Sequence, residues 1–162
     1  PPLWSYNNIV HDVSGYPVFV ANGNDAGSAA LYGSATSASR TGGDVQLTPS
    51  WVWTNELRFI RSDTALQVTC LATTRRRYLV RVDGYMATST SGAAISFNLR
   101  AIVGGSYTVV SQNITINTTP KPFSIAMIAS LAVNDVVALR LSDIYSGYDV
   151  LLSNLNMVIT PV

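Results

Sequence analysis

Among 162 residues the chain has one histidine, one cysteine, one lysine and one glutamate, a thin stock of groups for acid–base or nucleophilic catalysis. A Ser–His–acid triad would have to use His11, in the turn-like run His11-Asp12-Val13-Ser14-Gly15. Adjacency in sequence does not supply the tertiary geometry a triad needs, so His11 reads as a loop residue. Cys70 continues the apolar alternation Leu66, Val68, Cys70, which reads as a core position rather than a nucleophile. Glycoside hydrolysis needs two acids flanking a cleft. Here Glu56 stands alone, and Asp25, Asp44, Asp63, Asp135 and Asp143 sit where turns are formed. Asn22, Asn24 and Asp25 offer calcium-type oxygen ligands but only one firm carboxylate, so no metal is expected. No cofactor and no enzymatic activity are expected either.

Binding chemistry is better represented. Trp51-Val52-Trp53 alternates, which on a regular strand puts both indoles on one face, as a sugar-stacking platform would. Burial in the core or an interface is the plainer role. Arg75, Arg76 and Arg77 could hold a carboxylate in bidentate fashion, or form a solvated loop ahead of a strand. Tyr145-Ser146-Gly147-Tyr148-Asp149 has the composition of an adaptable recognition loop, and equally of a turn packed by Tyr145 and Tyr148. The candidate ligand-binding residues are therefore Trp51, Trp53, Arg75, Arg76, Arg77, Tyr145, Tyr148 and Asp149. Asn113-Ile114-Thr115 and Asn117-Thr118-Thr119 match the glycosylation sequon, a pattern short enough to arise by chance.

The elements that must carry these residues are strands. Ile95, Phe97, Leu99, Ala101 and Val103 alternate with Ser96, Asn98 and Arg100; Phe123, Ile125, Met127, Ala129 and Leu131 repeat the pattern against Ser124 and Ser130. Period two over such lengths is the mark of a half-buried strand. Further strands are expected at 16–21, 45–47, 56–60, 65–71, 78–86, 107–116, 136–141 and 155–160, separated by Gly-, Asn- and Asp-rich turns. Residues 26–39 read as a loop or weak strand, and no segment carries a capped helical stripe. The fold class is all-β, an antiparallel two-sheet sandwich of eight to ten strands in one domain over 1–162, with 1–20 peripheral or exchanged between subunits.

Only 12% of the residues are charged, about half the usual share, while 48% are hydrophobic. No apolar window reaches the roughly 18 residues of a membrane helix. A net charge of +1 lacks the basic stripe of a nucleic-acid binder. A lone cysteine leaves no internal disulfide. Pro1-Pro2-Leu3 without Met or a visible signal sequence suits a processed product or a fragment. Several strands are apolar on both sides: Tyr78, Val80, Val82 and Met86 face one way, while Leu79 and Tyr85 share the other with Arg81 and Asp83. Val136, Val137, Leu139 and Leu141 are nearly continuous. A second apolar face needs a cover, and the simplest is another copy of the chain. Tyr85, Tyr107, Leu155, Met157 and Ile159 are the expected interface residues.

The second half of the chain resembles the jelly-roll family of tumour necrosis factor and complement C1q. The features, in order, are Arg77–Tyr85, like the family's central strand, and the long strands 94–103 and 107–116 flanking Gly104-Gly105. Next come 123–129 and Leu131-Ala132-Val133-Asn134-Asp135-Val136-Val137-Ala138-Leu139, strand, turn and strand with Asn134 where glycine is usual; 154–160 resembles the closing strand at the subunit axis. Residues 1–74 do not match clearly, and the family's aromatic signature before its last strand is reduced to Tyr145 and Tyr148. The resemblance implies a homotrimer that binds partners through loops or subunit clefts. The same architecture serves receptor-binding heads on viral and phage fibres. The surface rich in Ser, Thr and Asn, without cysteine pairs, points to that setting: a virion-surface or extracellular trimer recognising a host-surface glycan or protein. A viral coat subunit and a secreted lectin-like module are the alternatives.

Overall fold

The computed structural model describes residues 26–37, 44–89, 94–142 and 149–162 with their side chains, and the backbone alone of 4–6, 9–11, 17–18, 93 and 143. Every regular element among them is a strand. In chain order these are β1 (Trp4–Tyr6), β2 (Ile9–His11), β3 (Pro17–Val18), β4 (Ser28–Thr36), β5 (Val45–Gln46), β6 (Thr48–Leu57) and β7 (Phe59–Arg61). There follow β8 (Gln67–Cys70), β9 (Arg76–Thr88), β10 (Ala93–Val103), β11 (Ser106–Ile116), β12 (Lys121–Leu131), β13 (Val136–Asp143) and β14 (Val150–Pro161).

Two antiparallel sheets face each other. One runs β12-β9-β14-β4-β6; the other runs β11-β10-β13-β8-β7, with β5 also on β13. A small sheet, β1-β2-β3, stands apart from both. Apart from the consecutive pairs β10–β11 and β7–β8, neighbours in the large sheets are not consecutive in sequence, as in a jelly roll. The alternation read from sequence decides which side chains fill the space between them. Ile95, Phe97, Leu99 and Ala101 on β10, Phe123, Ile125, Met127, Ala129 and Leu131 on β12, and Tyr78, Val80, Val82 and Met86 on β9 are buried there. Two aromatic pairs join sheet to sheet edge-to-face: Phe97 with Phe123 at 5.5 Å, and Phe59 with Tyr78 at 5.2 Å. The buried Tyr78 hydroxyl also accepts the Gly27 amide at 3.1 Å, fixing where β4 begins.

Two local expectations are revised. Residues 28–36 form a full strand, β4. Its inward residues are Ala29, Leu31, Gly33 and Ala35, mostly small, and at Gly33 β6 lies so close that a Cβ would stand 2.2 Å from the Ser50 carbonyl oxygen. The strand expected at 56–60 is broken at Arg58, whose φ of 56° turns the chain from β6 in one sheet to β7 in the other. In the 71–75 and 132–135 turns, Asn134 adopts a φ of 72°, the left-handed conformation that lets it replace glycine. Asp135, nearly buried, accepts the Ala132 amide at 2.8 Å and pairs with Arg75 at 3.1 Å.

Replacing Phe97 by Ala removes a fully buried ring and one aromatic contact, and is expected to cost about 3–5 kcal/mol. Guanidinium unfolding of wild type and variant measures it; a loss under about 1 kcal/mol would mean that the two sheets are not held together there.

Candidate functional site

Pairing fixes the outer face of the five-stranded sheet. Ser124, Asp83, Asn156, Tyr32 and Trp53 lie in one row across β12, β9, β14, β4 and β6. Ala126, Arg81, Val158, Ala30 and Asn55 form the next row, and beyond it Leu79 stands between Ile128 and Thr160. Moving along the strands, the face changes character. Its Leu79 end is apolar, with Leu57, Leu79 and Ile128 all exposed. Its Tyr85 end is polar and indented.

The indentation arises from a bulge. Register shifts on both sides of β14 between Leu152 and Asn156 leave one extra residue in that strand, centred on Asn154 at a φ of 45°. Opposite it, β9 carries Gly84, where a Cβ would meet the Ser153 and Asn154 carbonyl oxygens at 2.9 and 3.0 Å. The resulting open pocket of about 280 Å³ is lined by Asp83, Gly84, Tyr85, Pro122, Phe123, Asn154 and Asn156. Its polar groups are already oriented. Tyr32 Oη donates to Asn154 Oδ1 at 3.0 Å, Asn156 Nδ2 donates to the Asn154 carbonyl at 3.2 Å, and Arg81 Nε pairs with Asp83 Oδ2 at 3.1 Å.

A second polar cluster occupies the outer face of the other sheet. Arg100 grips Asp44 in bidentate fashion at 2.9 and 3.0 Å, and its Nε donates to the buried Asn98 at 2.9 Å. Its guanidinium lies 5.2 Å from the centre of the Tyr107 ring, and Arg140 approaches the same carboxylate at 3.5 Å. Asp44, expected only as a turn-former, anchors this cluster.

The residues singled out from sequence fare differently. A bulge opposite Tyr32 and Gly33 makes Val52 the extra residue, so Trp51 pairs with inward Gly33 and Trp53 with outward Tyr32. Trp51 packs against the core and donates its Nε1–H to the Ser62 carbonyl at 3.0 Å, while Trp53 is exposed. The expected two-indole platform is thus corrected. The three arginines do not converge: Arg75 binds the Ser130 carbonyl at 2.8 Å and Asp135, while Arg76 and Arg77, on alternating positions of β9, face opposite ways. Leu155, Met157 and Ile159 are buried between the sheets, so they cannot reach a partner; Asn156, Val158 and Thr160 hold the outward positions. Tyr85 and Tyr107 are exposed, Tyr107 at 62%. Cys70 is fully buried in the core. Asp149 exchanges hydrogen bonds with Ser89. Tyr145, Tyr148 and the loop Asn22, Asn24, Asp25 lie outside the described residues, as does the His11 side chain. Among the described residues no His, Cys, Asp and Glu side chains cluster as a metal site would require.

No protein-family model and no curated protein sequence matches the chain. Solved structures do. Murine APRIL at pH 8.0 matches with a TM-score of 0.61 and 8% identity, over 85% of this chain and 99% of that one. Eiger TNF from S. frugiperda matches with a TM-score of 0.50 and 18% identity, over 82% of this chain and 93% of that one. The chain therefore has the jelly-roll fold of tumour necrosis factor-like proteins, and at these identities the likeness is one of fold.

The Asp44–Arg100 pair is half shielded and bidentate, so a double-mutant cycle through Asp44→Ala and Arg100→Ala is expected to give a coupling of about 1 kcal/mol. Thermal or denaturant unfolding supplies the four stabilities, and a coupling near zero would show that the pair only decorates the surface.

Proposed function

We infer that this chain is a non-catalytic, homotrimeric receptor-binding head of a viral or bacteriophage fibre or spike, recognising a glycan or protein on the host surface. One observation carries the reading: the sandwich exposes large apolar side chains on the face of a sheet whose other face already fills the core. Tyr32, Trp53, Leu57, Leu79 and Ile128 stand on that face, with Leu57 and Trp53 each 54% exposed. An apolar sheet face of this kind marks an association surface rather than an ordinary exterior. Low charge across the whole chain supports the same conclusion, because interface cores are depleted in charged residues.

The count of three comes from the resemblance to the tumour necrosis factor and C1q jelly roll. The fold likeness to APRIL and Eiger TNF supports that resemblance. Tyr107, on the edge strand β11, is a further candidate for the subunit contact. The viral setting, and with it a virion-surface or extracellular location, is supported by the uncharged Ser-, Thr- and Asn-rich surface and the single buried thiol. A recognition role needs no assembled acid–base machinery, in keeping with the scarcity of His, Lys and Glu.

Sedimentation equilibrium at micromolar concentration is expected to give three chain masses. The double variant Leu79→Asp/Ile128→Asp is expected to weaken association by roughly 100-fold or more, the effect of losing a central hot spot. A wild-type monomer at micromolar concentration would remove the basis of this reading.

A further inference from the structure

We propose that the pocket at the β14 bulge, between Asp83, Tyr85, Asn154 and Asn156, is a subsite for one neutral sugar ring of a host-surface glycan. The proposal rests on the reading above in taking the receptor to be a glycan, and it assigns that glycan a place and a charge class. Three features of the pocket carry it.

The first is size and form. At about 280 Å³ and open to the surface, the pocket falls just below the roughly 300–1,000 Å³ of sites for drug-sized ligands. It suits a single ring whose neighbours in a chain continue into solvent.

The second is the arrangement of polar groups. With Asn154 Oδ1 held by the Tyr32 hydroxyl, the Asn154 amide presents its Nδ2 hydrogens as donors. With Asn156 Nδ2 turned to the Asn154 carbonyl and, at 3.4 Å, to Asp83 Oδ1, Asn156 presents its Oδ1 as an acceptor. Asp83 retains lone pairs beyond those used by Arg81 and Asn156. A donor, an acceptor and a carboxylate held in fixed directions match the paired donor and acceptor capacity of vicinal hydroxyls. Tyr85, 42% exposed, and Pro122 supply an apolar wall for the C–H face of the ring. Because Gly84 and the Asn154 turn fix the backbone, little ordering is left to occur on binding.

The third is charge. Among the described residues no cation lines the pocket, and Arg81 beside it is already paired with Asp83, which leaves no positive group in the lining for a carboxylate or sulfate. An acidic sugar would place its anion against Asp83. That selects neutral sugars and separates this subsite from the arginines 75–77. The pocket also lies at the polar end of the sheet, along the strands from Leu79 and Ile128, where self-association is inferred.

The test uses the intact chain and four probes: methyl α-mannopyranoside, methyl β-galactopyranoside, methyl α-fucopyranoside and N-acetylneuraminic acid. Saturation-transfer NMR and titration calorimetry are expected to find millimolar or tighter binding of at least one neutral glycoside, and none of N-acetylneuraminic acid. Asn154→Ala and Tyr85→Ala are each expected to weaken that binding by about tenfold or more, while Ile60→Ala, an exposed position on β7 of the other sheet, leaves it unchanged. Unfolding midpoints and sedimentation confirm that each variant keeps its fold and assembly; if one does not, the other carries the test. No transfer to any neutral glycoside, preferential binding of N-acetylneuraminic acid, or binding that survives both pocket variants would each overturn the subsite. A glycan array separates the two levels. A hit retained by both variants sinks the pocket alone, whereas no hit of any kind sinks the glycan receptor as well.

Discussion

Strand β9 imposes the constraint on which the rest of the structure depends. Its 13 residues lie between β12 and β14, and their alternation sends Tyr78, Val80, Val82 and Met86 into the core. The same alternation leaves Leu79, Arg81, Asp83 and Tyr85 facing out. Because the side-chain period of a strand is two, neither set can move without the other. The inner set joins the buried core between the sheets, with Tyr78 edge-to-face against Phe59 of the other sheet. The outer set then has to face water, a partner or a ligand, and its composition divides those roles along the strand.

That division follows from backbone irregularity. Regular strands would make the outer face of the five-stranded sheet a uniform ribbon. The bulge in β14 breaks it, brings Asn154 and Asn156 to the same side, and demands glycine at position 84 where the backbones meet. A second bulge at Val52 does the same for the tryptophans, sending Trp51 inward and Trp53 outward. Bulges re-aim side chains at the cost of a locally disrupted ladder. In this chain they generate both the pocket and the separation of a structural indole from an exposed one.

Much of the fold was legible in the sequence. β9, β10 and β12 alternate cleanly enough to be placed within a few residues, β13 is marked by its nearly continuous apolar run, and the Asn134-Asp135 turn is readable from residue types that tolerate left-handed backbone. β4 was obscured because its inward residues are mostly small, a pattern that reflects close packing against β6 and carries little hydrophobic signal. Periodicity told which residues of β14 share a face but not which face lies inside, so Leu155, Met157 and Ile159 were expected at an interface and lie in the core. The pocket was not legible at all. Asp83 and Asn156 are 73 positions apart, and the bulge that joins them has no signature beyond an asparagine able to take a positive φ. The Asp44–Arg100 pair, 56 positions apart, was hidden for the same reason.

The central claim is that the apolar part of the five-stranded sheet is covered by other copies of the chain. Hydroxyl-radical footprinting over a dilution series reads this directly at Leu57, Leu79 and Ile128, which the single subunit leaves exposed. The account predicts strong protection of all three at micromolar concentration, lost together on dilution below the association range. Oxidation at the full rate of exposed side chains at every concentration would contradict it.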